Sequence, residues 1–159
     1  MKLYMKQKTF SLKQDFDILD AGQRPVYHVE GKLMSLKRKL RIYDSQTHEE
    51  LAAVEQQLVA FTPTMHVYYQ DERIATIRKK ITFLRPSYEI DVLGWTIDGD
   101  YFAHDYNVLD ASGRLIADIS KKLFSWSDTF EIDIKDPTVN PTIVLAVVLA
   151  IDMAMDSQK

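Results

Sequence analysis

Apolar and polar residues alternate along most of the chain in runs of about four to eight, the two-residue period of strands with one buried face. Phe16-Asp17-Ile18-Leu19, Val26-Tyr27-His28-Val29, Tyr88-Glu89-Ile90-Asp91-Val92 and Phe130-Glu131-Ile132-Asp133-Ile134 are examples, rich in Val, Ile, Tyr and Phe. Turn-forming clusters separate the runs at Asp20-Ala21-Gly22, Asp71-Glu72, Asp98-Gly99-Asp100 and Asp110-Ala111-Ser112-Gly113. The count comes to roughly 10–12 strands, enough to close a barrel.

The runs also repeat. Ala52, Val54, Gln56 and Leu58 alternate on one face, and Ala75, Ile77, Lys79 and Ile81 reproduce the pattern, as do Ala117, Ile119, Lys121 and Leu123. Thirteen residues after each alanine a second run begins, at Met65, Tyr88 and Phe130. Val67 and Tyr69, Ile90 and Val92, and Ile132 and Ile134 continue those runs. Each copy therefore predicts a β-hairpin with two inward-facing runs, joined by a loop carrying Pro63, Pro86 or Ser125-Trp126-Ser127.

The C-terminal segment breaks this period. Asn140-Pro141 predicts a helix start, a capping side chain followed by the position where proline's missing N–H does no harm. Ile143 to Ile151 is apolar throughout, and a helix apolar on every side must be surrounded. The stretch falls short of the roughly 20 residues that span a bilayer, so the expected surroundings are the strands themselves. Ala146, Ala150 and Ala154 form a slim ridge that lets a strand approach closely. The expected fold is mainly β, a closed barrel of about 12 strands around a buried C-terminal α-helix.

Length and composition narrow the function classes. A chain of 159 residues suits one domain, expected to cover 1–159, with a core large enough to need no cross-links. The absence of cysteine excludes thiol catalysis and thiolate zinc sites and fits a reducing compartment. The segment Met1 to Lys6 lacks the apolar run of a secretory signal, so the expected location is cytoplasmic. A net charge of −3 argues against a nucleic-acid partner. That average hides an asymmetry. Lys32 to Tyr43 carries five bases and no acid, Arg73 to Tyr88 again five bases and no acid, and Glu89 to Asp118 seven acids and one base. Either these runs are solvated strand faces, or the molecule is electrically two-faced.

At this level the chain resembles the LURP-one-related family, of the tubby C-terminal-like superfamily to which the phospholipid scramblases also belong. The resemblance rests on Gly31-Lys32, the Ile-Ala-x-Ile-x-Lys-Lys copies at 74–80 and 116–122, and the run from Lys122 through Trp126 to Phe130. The apolar helix ending in Ile151-Asp152 completes it, so that it spans about Asp15 to Asp152. It implies a tubby C-terminal-like barrel threaded by its last helix and no settled reaction. Tubby relatives bind phosphoinositides. The first repeat departs from the pattern, with Gln56-Gln57 in place of Lys-Lys, and the cysteine cluster lipidated in scramblases is missing.

Candidate chemistry is sparse. His28, His48, His66 and His104 show no metal-ligand spacing, and no phosphate-binding glycine loop occurs. Asp128, Glu131, Asp133 and Asp136 precede the helix without a glycine-centred calcium loop. Neighbours on a strand point to opposite faces, so His104-Asp105 is no dyad. Lys79 and Lys121 fall on the inward face, which predicts a bulge or rim position that turns them out, or a polar layer partnered by Asp152. Trp95 and Trp126 are expected to cap the core or to anchor the protein on a surface. The expectation is a non-catalytic binding module with no catalytic residue, metal or cofactor. Lys37, Arg38, Lys39, Arg78, Lys80 and Arg85 are its candidate binding residues for anionic phospholipid or phosphoinositide headgroups, peripheral to a membrane. A protein-interaction scaffold is the alternative and an enzyme of unknown class the third reading.

Overall fold

The computed structural model describes residues 1–6, 15–34, 37–57, 62–80, 87–91, 93–100, 103–124 and 127–156. Leu58, Ile81, Arg85, Pro86, Val92, Ser125 and Trp126 lie outside these residues, as do the side chains of Lys80, Leu123, Ser127 and Asp128. The strands are β1 (Lys2–Lys6), β2 (Phe16–Leu19), β3 (Pro25–Met34), β4 (Lys37–Asp44), β5 (Glu50–Gln56) and β6 (Thr64–Tyr69). They continue as β7 (Glu72–Lys80), β8 (Ser87–Asp91), β9 (Thr96–Asp100), β10 (Asp105–Leu109), β11 (Leu115–Phe124) and β12 (Ser127–Ile134). The helix α1 (Pro141–Asp156) follows. Neighbouring strands pair antiparallel in chain order, and β1 joins β12 to β2, closing the barrel.

The repeat in the sequence is a repeat in the ladder. Ala52 faces Tyr69 and Ala117 faces Ile134, both seventeen residues apart, and Ile77 faces Ile90 within the same register. A fourth hairpin, β3–β4, has it too: Tyr27 faces Asp44, Val29 faces Ile42 and Gly31 faces Leu40. Gly31, Gln56, Lys79 and Lys121 therefore occupy one equivalent rung. Inward-facing Val29, Leu40, Ile42, Val54, Met65, Val67, Ile77, Ile119 and Ile132 are all almost fully buried.

What they bury against is the helix. Val144, Leu145, Val147, Val148, Leu149, Ile151, Met153 and Met155 are each at most 5% exposed, and the ridge of Ala146, Ala150 and Ala154 is completely covered. α1 packs chiefly against β5, β6 and β7. Its start is pinned on both sides. The Asn140 side chain accepts from the Thr142 N–H at 2.9 Å as the expected cap and donates to the Tyr69 hydroxyl at 2.8 Å. The buried Thr142 hydroxyl donates to that of Tyr27 at 3.1 Å. No helix among the described residues is long and apolar enough to cross a membrane.

The barrel thus has a head end, where α1 begins beside Tyr27 and Tyr69, and a tail end, where it finishes. Asp20 and Asp110 build matching turns at the head end. Each carboxylate accepts from two backbone N–H groups, those of Gly22 and Arg24 or of Ser112 and Arg114. The Arg24 N–H foremost holds the Asp20 carboxyl below the ordinary Asp range, and the Ser112 hydroxyl, at 2.6 Å, foremost that of Asp110, with the backbone bonds adding to it. Four hairpins carry a register shift near their head-end turns, at Ile18/Leu19, Ile42/Tyr43, Val67/Tyr68 and Val108/Leu109. β9 crosses β10 closely at Gly99, whose φ is +129°; a Cβ there would stand 2.6 Å from the Asp105 carbonyl oxygen and 2.7 Å from the Tyr106 Cα. Only glycine meets both demands.

Two outcomes follow. Each of the larger helix side chains contributes about 1.5–3 kcal/mol on burial, together at least a typical net stability of about 5–15 kcal/mol. A chain ending at Asp136 should show no cooperative melt by calorimetry. Gly99→Ala should lower stability by roughly 1–3 kcal/mol in urea titration, through its positive φ and the crowded crossing.

Candidate functional site

The two basic runs fall on β3–β4 and on β7. In the closed order only β5 and β6 separate β4 from β7, a span of about 14 Å at the usual strand spacing of roughly 4.8 Å. Both runs are richest where these strands reach the tail end, so Lys37, Lys39 and Arg78 share one side of one mouth. Asp98, Asp100 and Asp105 belong to β9 and β10, five to six strands from β3 and β4 but only two and three from β7. The β3–β4 run is thus set apart from these acids, whereas the β7 run lies close to them.

The outer face between the basic runs is a mixed row. Glu55 faces Lys39 on one side and His66 on the other, and Thr76 follows His66 and faces Asp91. Lys39 Nζ lies 2.8 Å and Lys37 Nζ 3.5 Å from the Glu55 carboxylate, while Arg78 lies 3.4 Å from Asp91. The two lysines hold the Glu55 carboxyl below its ordinary range, against the opposing cost of desolvation. His66 is fixed at both ring nitrogens, Nδ1 to the Thr76 hydroxyl at 3.1 Å and Nε2 to the Gln57 side-chain oxygen at 3.0 Å. Burial first, then Arg73 and Arg78, push its pKa down; Lys37 adds to this while Glu55 opposes it. The imidazole accordingly feels cations of both basic runs.

Arg38 stands apart from its neighbours. It shares the inward register of Leu40 and Ile42, half-buried at the start of β4. Of the six candidate binding residues, Lys37, Arg38, Lys39 and Arg78 thus gather at the tail end. The Lys80 side chain and Arg85 fall outside the described residues.

Inside that mouth the inward lysines are explained without a bulge. The β7–β8 ladder runs unshifted from Thr76 to Lys80 and the β11–β12 ladder from Ala117 to Phe124. Lys79 nevertheless is only half-buried and Lys121 is exposed, while their partners Tyr88 and Phe130 are buried. The rung lies near the tail end, where a long aliphatic stem, and not a bulge, can carry the ammonium toward water. Asp152, 4% exposed near the end of α1, meets His104 Nε2 at 3.2 Å. The His104 ring stacks on Phe130 with centroids 4.0 Å apart and adopts a left-handed φ of 54°. A carboxylate late in a helix opposes the macrodipole, and the His104 imidazole gives it a polar partner inside the barrel. Trp95 joins the core, as one of the two readings for it expected.

The carboxylates ahead of the helix are engaged with bases. Buried Glu131 approaches Lys2 and Lys122 at 3.9 and 3.8 Å, Asp133 meets Lys135 at 2.7 Å, and Asp136 holds Thr138 and Arg114. A different group does converge. The ligand atoms of Asp15, His28 and Glu30, on the outer face of β2–β3, all lie within 4.8 Å of one another. Spacing along the chain did not reveal them, because the ladder and not the sequence makes them neighbours.

His104 and Asp152 should behave as one unit. Asp152→Asn and His104→Gln are each expected to destabilise, and the pair to deviate from additivity by roughly 0.5–3 kcal/mol in a double-mutant cycle read by denaturant unfolding. Exposed Lys121→Met should change stability by less than about 1 kcal/mol.

Known proteins place this architecture. The structure superposes on the X-ray structure of the Arabidopsis thaliana protein AT5G01750 with a TM-score of 0.68 at 14% identity, covering 99% of this chain and 91% of that one. At such identity the likeness concerns the fold. The chain is also 33% identical over 134 residues to the "Uncharacterized protein YxjI" of Bacillus subtilis (strain 168), covering 84% of this chain and 82% of the relative. Residues 1–152 match the family described as LURP-one-related, so the Gly31-Lys32 element, the lysine-bearing hairpins and the enclosed helix are those of a family member: the chain belongs to the LURP-one-related family.

Proposed function

We propose that this barrel is a non-catalytic binding module that docks its tail end on anionic phospholipid headgroups, peripheral to a membrane. The observation that carries the reading is that β4 and β7, with only β5 and β6 between them, bring Lys37, Lys39 and Arg78 to the same end of the barrel. Asp98, Asp100 and Asp105 stand on β9 and β10, across from β3 and β4 though near β7, and the Asp20, Asp44 and Asp110 turns lie at the other end. Approach to an anionic surface with β4 foremost sets those acids farthest from it.

The ion pairs set the strength of such binding. Glu55 competes with phosphate for Lys37 and Lys39, and Asp91 competes for Arg78. Each base that reaches an anionic surface contributes about 1 kcal/mol, so a few partly neutralised bases give weak, salt-sensitive attachment. Glu55 is therefore the sharpest handle. In flotation with vesicles containing phosphatidylglycerol or a phosphoinositide, Glu55→Gln should raise partitioning by about fivefold, the equivalent of roughly 1 kcal/mol, at low salt. The triple variant Lys37→Glu, Arg38→Glu, Lys39→Glu should abolish it. Equal partitioning onto neutral and anionic vesicles would remove the lipid reading and leave a protein-interaction surface in its place.

A further inference from the structure

On the outer face of β2–β3, one step around the barrel from the basic runs, the charge reverses. Asp17 faces His28 across the ladder, and two positions further along, just ahead of β2, Asp15 comes close to His28 and Glu30. Alternation sends all four side chains outward, since Phe16, Ile18, Tyr27 and Val29 fill the core. Two rungs of one hairpin thus present three carboxylates and an imidazole in a single patch.

We propose that Asp15, His28 and Glu30 form a binding site for a divalent transition-metal ion, with Asp17 positioning the imidazole. Exposed carboxylates alone would carry no such assignment. The nitrogen donor among them changes the chemistry, because one imidazole with carboxylate oxygens is a donor set suited to zinc, manganese or cobalt. His28 Nδ1 lies 2.8 Å from Asp17 Oδ1, so a carboxylate already holds one ring nitrogen and orients the other. Metal-ligating histidines are supported in this way, with a carboxylate on the ring nitrogen that does not face the ion.

Geometry and charge agree. The ligand atoms of Asp15, His28 and Glu30 lie within 4.8 Å of one another, against the roughly 3.4 Å that bonds of about 2.1 Å impose in a tetrahedral site. Small rotations of exposed side chains close that gap with the backbone in place. The cation across the ladder, Arg41, faces Glu30, yet its Nε lies 3.8 Å from Glu50 on the next strand. Three ligands leave further coordination positions for water or for an acidic group of a partner.

The test uses the full chain and zinc, manganese and calcium ions added singly. Calorimetric titration should show one saturable zinc site per chain and weaker calcium binding. His28→Gln or Asp15→Asn should abolish it, and Asp17→Asn should weaken it about 10- to 100-fold, the loss seen when the support of a ligating histidine is removed. Nuclear magnetic resonance separates this site from the other histidines: zinc should shift the ring signals of His28 before those of His48, His66 or His104. All these side chains face outward, so unchanged melting of the metal-free variants confirms that the fold is intact. Absence of saturable zinc binding, or binding that survives His28→Gln, overturns the proposal.

Discussion

An α-helix apolar on every side cannot rest on a surface, and the rest of this molecule answers that constraint. A sheet packed on one flank would leave half of Ile143 to Met155 in water. Twelve strands curled through a full circle cover all of it, and the closed order from β2 round to β1 removes the free edges an open sheet would expose. The alanine ridge then follows from size, since the strands close around α1 only if the helix is narrow along part of its length. Tyr27 and Tyr69, reaching from two strands to Thr142 and Asn140, fix its depth in the barrel.

Enclosure also gives the barrel a direction. One mouth admits the helix through turns whose Asp side chains bind their own backbone; the other receives the helix tail, Asp152 and His104, and gathers Lys37, Arg38, Lys39, Arg78, Lys79 and Lys121. Part of this cationic mouth has an internal reason, since the carbonyl end of α1 and the Asp152 carboxylate favour positive charge nearby. The outer bases have a different local reason, in Glu55 and Asp91. Any external anion meets a mouth whose charges already serve the fold.

Much of the architecture was legible because each strand hairpin repeats the same spacing. The alternation of Ala52, Val54 and Gln56 with Met65, Val67 and Tyr69 is itself the register of β5 and β6. The fourth copy was harder to see: Tyr27 stands where the others have alanine and Gly31 where two have lysine, so residue identity hid an equal geometry. Side-chain neighbours were less legible than strands. Asp17 comes opposite His28 only because a register shift at Ile18/Leu19 follows the pairing of Leu19 with Pro25. Counting outward from the turn without that shift would set Asp17 against the inward-facing Tyr27. His104 and Asp152 were invisible for another reason, since their contact depends on where the helix ends inside the barrel.

The order in which the parts are made has its own consequence. The element that fills the barrel follows all the strands that surround it, and the strand that closes the circle, β1, pairs with β12 more than a hundred residues downstream. No hairpin can hide its apolar face until α1 has emerged from the ribosome, and the seam between β1 and β12 can seal only afterwards. Folding therefore waits for α1 to be made and proceeds through contacts distant in sequence, in the slow range of millisecond-to-second β-topologies. Until α1 arrives, the strands expose the apolar face that they later bury, the kind of surface on which incomplete chains aggregate.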